Sequence, residues 1–133
     1  GDNLPVVNLG TGRTATAIAT GNKHSCAVLD NASVKCWGDN IFGQLGIDNS
    51  TNMGDNSSEM ALLTGINLGT GRTATAIAAG GRGHTCVLLD NASVKCWGSN
   101  YYGQLGIGIG GGSQSDWRGM NQGDMDKLLG IDL

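Results

Sequence analysis

Four cysteines, two histidines and eleven acidic side chains are the residues of this chain with chemistry to offer. The cysteines fall into two C-x9-C pairs, Cys26 with Cys36 and Cys86 with Cys96. Three fates suit such pairs: a metal site, thiols left free in a core, or disulfides. A structural zinc site brings its thiolates about two to four residues apart and adds histidines at ligand spacing. Here His24 and His84 simply stand two residues ahead of a cysteine. A redox C-x-x-C is also missing from the sequence. The spacing favours two disulfides, and with them an oxidising, extracellular or periplasmic setting. Free structural thiols and a metal site remain the alternatives. Neither histidine has a recurring nucleophile or carboxylate beside it except Asp30 and Asp90, which lie in turns, so a structural role is expected for both. No nucleophile–base pair and no metal set recurs, so neither an enzyme nor a cofactor is expected.

A disulfide needs an element that brings its cysteines face to face, and a hairpin through "CAVLDNASVKC" does so only with one loop length. A two-residue loop sets Cys26 opposite Trp37 and sends the two sulfurs to opposite faces. A three-residue loop, Asp30-Asn31-Ala32, pairs Leu29 with Ser33, Val28 with Val34 and Cys26 with Cys36. Directly opposed residues lie about 4.5–5.5 Å apart, within disulfide reach. The same register pairs Cys86 with Cys96. Such loops usually end on a left-handed glycine; here the position is Ala32 or Ala92, at an expected cost of about 1 kcal/mol each. Each bridge closes an eleven-residue loop, for a chain-entropy contribution of roughly 3 kcal/mol.

The hairpin sits inside a larger repetition. "KHSCAVLDNASVKCWGDNIFGQLG" (Lys23–Gly46) recurs as "GHTCVLLDNASVKCWGSNYYGQLG" (Gly83–Gly106), and "LGTGRTATAIATG" (Leu9–Gly21) as "LGTGRTATAIAAG" (Leu68–Gly80). A partial third copy ends the chain: "KLLGIDL" (Lys127–Leu133) matches "LLTGINL" (Leu62–Leu68). "TATAIA", "HTCVLL" and "SVKCW" read as short strands separated by glycine turns. Each unit is then a sheet of three or four antiparallel strands, unable to bury both faces alone. No sustained helical period appears, though "MDKLLG" suits a short helical turn.

The remaining composition narrows the function. The 133 residues suffice for one domain, 24 of them glycine and one proline. With 14% charged residues and a net charge of −3, there is no basic field for a phosphate backbone, so no nucleic-acid partner is expected. No apolar run reaches the roughly 18 residues of a membrane span. The opening "GDNLPVVNLG" has no signal-peptide pattern, so a mature or excised chain is expected. "GTGR" (Gly10, Gly12, Arg13; Gly69, Gly71, Arg72) lacks the Lys-Ser/Thr of a phosphate loop and reads as a tight turn. "DNSTNMGDNSSE" (Asp48–Glu59) lacks the ligand spacing of a calcium loop and reads as solvated. Asn31, Asn49, Asn56 and Asn91 each open an N-x-[ST] sequon, two of them at hairpin tips, and are candidate glycosylation sites.

G-x-x-H-[ST]-C followed by D-N-A-S-V-K-C-W-G-x-N-x-[FY]-G-Q-L-G resembles the regulator of chromosome condensation (RCC1) repeat. It is most similar to the cysteine-bearing variety of secreted or surface proteins. The resemblance covers the chain except Ile109–Asp124. It implies an all-β fold of two propeller-type blades, with a first repeat at 1–61, a second at 62–126 and the start of a third at 127–133. It also implies that His24 and His84 hold backbone groups between strands. Family propellers close with more blades than two. Neighbouring copies or a longer array are therefore expected to complete the unit, with the third copy of the strand completing a neighbour's blade. Trp37 and Trp97 are expected to pack between blades. Tyr101, Tyr102, Trp117 and Arg118 form the one aromatic and charged cluster placed for a rim contact with a protein or glycan partner. The expectation is a secreted, non-enzymatic structural or interaction module forming a ring or filament, or else a rim-loop binding protein.

Overall fold

The computed structural model describes residues 2–131. They form two three-stranded antiparallel sheets: β1 (Ala15–Thr20), β2 (His24–Leu29) and β3 (Val34–Gly38), then β4 (Ala74–Gly80), β5 (His84–Leu89) and β6 (Val94–Gly98), each in sequential order. A further pairing extends each sheet. Met53 exchanges backbone hydrogen bonds with Gly38, and Arg118 does so with Gly98. Each sheet is one blade.

The hairpin register is the one the three-residue loop requires. Val28 faces Val34 and Cys26 faces Cys36; Leu88 faces Val94 and Cys86 faces Cys96. The turns close through Ala32 N–H to the Leu29 carbonyl and Ala92 N–H to the Leu89 carbonyl. Ala32 (φ 61°) and Ala92 (φ 65°) are both left-handed. Both disulfides are formed, with Cα–Cα distances of 4.0 and 4.1 Å.

One core runs through both blades. Val28, Val34 and Leu45 of the first pack with Ile66, Leu68, Val87, Leu89 and Trp97, and Met125 and Leu128 close the cluster. The linking segment is stitched to blade 1 before it starts blade 2: Ile66 N–H donates to the Val34 carbonyl and Ala74 N–H to the Ala32 carbonyl. Ile131 N–H makes the matching bond to the Val94 carbonyl at 2.8 Å, so the last described residues lie on blade 2 as 62–68 lie on blade 1. Asp132 and Leu133, the end of the expected third strand, fall outside the described residues.

Two local expectations are corrected. "MDKLLG" forms turns, not helix, held by the Asp48 carboxylate, which accepts from Gly123 N–H and Met125 N–H. A four-residue helix instead occupies Glu59–Leu62, at the end of the loop read as solvated. Its Glu59 carboxylate accepts from Gly54 N–H and Asn56 N–H.

Candidate functional site

The W-G-x-N-x-x-G-Q-L-G stretch builds a loop that serves the neighbouring blade. Asn40 is fully buried. Its Oδ1 accepts from Leu45 N–H, and its Nδ2 donates to the Asn49 and Thr51 carbonyls. Gln44 Oε1 accepts from Phe42 N–H. Asn100 and Gln104 repeat this, bonding Leu105 N–H and Tyr102 N–H. The loop thus holds the Gln44 carbonyl pointing at blade 2.

Three side chains converge there. Thr85, fully buried, donates its hydroxyl to the Gln44 carbonyl at 2.9 Å. The Trp97 indole N–H donates to the same carbonyl at 3.0 Å, with its ring 0% exposed. His24 Nε2 lies 2.9 Å from Thr85 Oγ1. The only hydroxyl proton of Thr85 is given to Gln44, so His24 Nε2 carries the proton and donates it. This fixes the histidine tautomer and leaves Nδ1 without a partner. Burial, then the nearby His84, push His24 below its ordinary pKa, partly offset by Asp39. Burial lowers His84 too.

Glycines make room for these rings. A Cβ at Gly21 would lie 2.3 Å from His24 Cε1, and one at Gly80 would lie 2.0 Å from His84 Cε1. A Cβ at Gly46 would lie 2.6 Å from the Trp97 indole nitrogen, and one at Gly83 would lie 2.5 Å from the Phe42 ring. The sequence reading missed this use of glycine; a glycine repeated three or four residues before each histidine was its only signal.

The histidine expectation is therefore corrected for His24: it holds a side-chain hydroxyl of the next blade, not a backbone group. Asp30 and Asp90 are engaged elsewhere, each accepting from a threonine N–H and lying 3.6 Å from Arg13 and Arg72 respectively. Among the described residues no cluster of His, Cys, Asp and Glu is arranged to hold a metal.

The candidate rim residues separate. Tyr101 and Tyr102 stand exposed with ring centroids 4.8 Å apart, and the Arg82 guanidinium lies 4.9 Å from the Tyr102 ring. Trp117 does not share that surface: it is 9% exposed and packs edge-on against Phe42 at 4.9 Å. Arg118 turns its guanidinium back to the Ser115 and Trp117 carbonyls. Arg82, distant in the sequence from the tyrosines, was not foreseen. The four sequon asparagines are exposed, with Asn31 and Asn91 at the hairpin tips as expected.

The family model described as "Regulator of chromosome condensation (RCC1) repeat" matches residues 15–44 and 74–104. The chain carries two RCC1 repeats. The matched stretches run from β1 to Gln44 and from β4 to Gln104, so each RCC1 repeat includes the loop that faces the next blade. Human "Probable E3 ubiquitin-protein ligase HERC4" is 34% identical over 90 residues, 68% of this chain and 8% of that protein. The chain thus spans a small fraction of that relative's length. Among solved structures, human WBSCR16 superposes with a TM-score of 0.64 at 20% identity, over 90% of this chain and 26% of that one. Yeast RCC1 (Prp20), solved with Kap60, gives 0.51 at 26% identity, over 67% of this chain and 20% of that one. The likeness to WBSCR16 concerns the fold alone; the likeness to yeast RCC1 agrees with the matched repeats.

Proposed function

We propose that this chain is a non-enzymatic protein-interaction module of an extracellular or cell-surface setting, in which RCC1-type blades stack on further blades. These come from copies of the chain or from a longer array, as a ring or a filament. The junction between the two blades carries this reading. It buries an indole, a hydroxyl and an imidazole of the repeat, and blade 2 builds the same loop with Asn100 and Gln104. A blade array adds such contacts repeat by repeat, each covering the surface the last left open. Two disulfides support an oxidising compartment, since such bonds persist outside the cytosol. Exposed Asn31, Asn49, Asn56 and Asn91 are then open to glycans. Sedimentation velocity over a wide concentration range tests the reading. The expected result is mass rising above the 13.6 kDa of one chain. A single species at that mass throughout overturns stacking between copies. Electron micrographs separate rings from filaments.

A second reading, a binding protein acting through its rim, draws on the exposed tyrosine pair with Arg82 beside it. Aromatic and arginine side chains supply much of the energy at contact surfaces. Tyr101→Ala then removes binding of a protein or glycan partner and leaves the mass distribution unchanged.

A further inference from the structure

His24–Gly46 and His84–Gly106 are equivalent position by position, so the contacts at the blade 1–blade 2 junction define what blade 2 offers on its far side. Inside the chain, blade 1 presents His24, the Gln44 carbonyl and Gly46, and blade 2 inserts Thr85 and Trp97. The counterparts on blade 2 are His84, the Gln104 carbonyl and Gly106. Gly106 has the same left-handed backbone as Gly46, φ 65° against 66°. Beside it lies a cavity of about 460 Å³, bounded by Gly106, Ile107, Arg118 and the 127–131 segment. Within the chain the group nearest a Cβ at Gly46 is the Trp97 indole, at 2.6 Å; at Gly106 it is the Ile131 side chain, at 3.3 Å, which forms one wall of this cavity.

The opposite end of the molecule carries the matching insert. Ser25 stands where Thr85 stands and Trp37 where Trp97 stands, paired across β2 and β3 as Thr85 and Trp97 are across β5 and β6. Both are half-buried, unlike their fully covered counterparts. Among the described residues neither the Ser25 hydroxyl nor the Trp37 indole N–H has a hydrogen-bond partner. One end thus lacks an indole and a hydroxyl, and the other end has both to give.

We infer that the cavity beside Gly106 is a socket for Trp37 of a second copy of this chain, with Ser25 of that copy bridging His84 and the Gln104 carbonyl. The contact continues an interface already built within the chain, and joins unlike surfaces, so it propagates head to tail. One position differs. Phe42 lies on Gly83 within the chain, whereas Tyr102 meets Lys23 between copies, where an ammonium against an aromatic face replaces ring against backbone. The inference rests on the stacking reading and names its surface.

Two variants test it by blocking one end each. Gly106→Asn fills the socket; asparagine tolerates the left-handed backbone, and its Cβ meets only the flexible end of Ile131 at 3.3 Å. Ser25→Lys places a charge on the inserting face at a half-buried position. Each variant is checked for both disulfides and native circular dichroism, then weighed by sedimentation equilibrium. Wild type is expected to associate, each variant alone to remain a monomer, and an equimolar mixture to stop at a dimer, because only one intact socket meets one intact insert. Association of wild type with both variants unaffected overturns the socket and leaves the stacking reading standing. A mixture that stays monomeric, or a dimer formed by one variant alone, also overturns it. Monomeric wild type overturns both the socket and stacking between copies.

Discussion

Thr85→Val tests how the blades are joined. The substitution keeps the shape of a fully buried side chain and removes one oxygen. That oxygen has two partners at 2.9 Å, His24 Nε2 and the Gln44 carbonyl. Gln44 keeps the Trp97 indole N–H at 3.0 Å and so loses one bond of two, about 0.5–1 kcal/mol. His24 fares worse. Its Nδ1 is already unpartnered, so the ring stays buried with neither nitrogen bonded; an unsatisfied donor of this kind costs about 1–3 kcal/mol. Together these give about 1.5–4 kcal/mol. For a domain of this size that lowers Tm by roughly 5–16 °C. The assay is a thermal melt followed by near-ultraviolet circular dichroism at matched protein concentration, with Thr85→Ser as control. Serine retains the oxygen and loses one methyl, about 1 kcal/mol. In a double-mutant cycle with His24→Phe, the paired loss should be well below the sum of the single losses, because contacting residues are not additive. A valine variant within about 2 °C of wild type, or a serine variant equally damaged, refutes the hydroxyl bridge.

Ala32→Gly and Ala92→Gly should each stabilise by about 0.5–1 kcal/mol, since the strained left-handed alanine cost outweighs the extra freedom glycine has when unfolded; chemical denaturation measures it, and a loss of stability refutes it. Mild reductant should open Cys86–Cys96 before Cys26–Cys36, because Cys86 is half-buried while Cys26 is covered, its sulfur 3.9 Å from Thr85 Oγ1; alkylation and peptide mass analysis give the order, and simultaneous opening contradicts it. Stability should also fall with acid. His24 is held below its ordinary value of 6.5 in the fold, so the unfolded chain takes up protons first. The contribution is complete above about pH 6.5 and is lost as pH falls through the lowered folded value. Denaturation at pH 8 and pH 5 measures it, and His24→Phe should flatten the His24 part of the slope.

The hairpins were fully legible because loop length, register and the cysteine pair constrain one another. Only one loop puts Cys26 opposite Cys36, and it forces Ala32 into a costly conformation that the backbone does adopt. The blade number followed from the repetition. What the sequence concealed was reach across blades. Nothing near His24 announces Thr85, sixty-one residues on; the partner is set by how the sheets stack, which local pattern does not encode. Trp117 misled for a related reason. Its neighbours Ser115, Asp116 and Arg118 are polar, yet its ring is buried against Phe42 from the other repeat. Arg82 lies twenty residues before Tyr102 and meets it through the fold.

The exchange of Gly83 for Lys23 at equivalent places has a geometric result. A bare backbone lets the Phe42 ring approach closely, whereas in the proposed contact a long cationic chain would stand against the ring. Copies joined in the proposed way would therefore alternate between two kinds of seam. Averaged images of such a polymer would show a spacing of two sheets, never one, and any closed circle of copies alone would hold an even number.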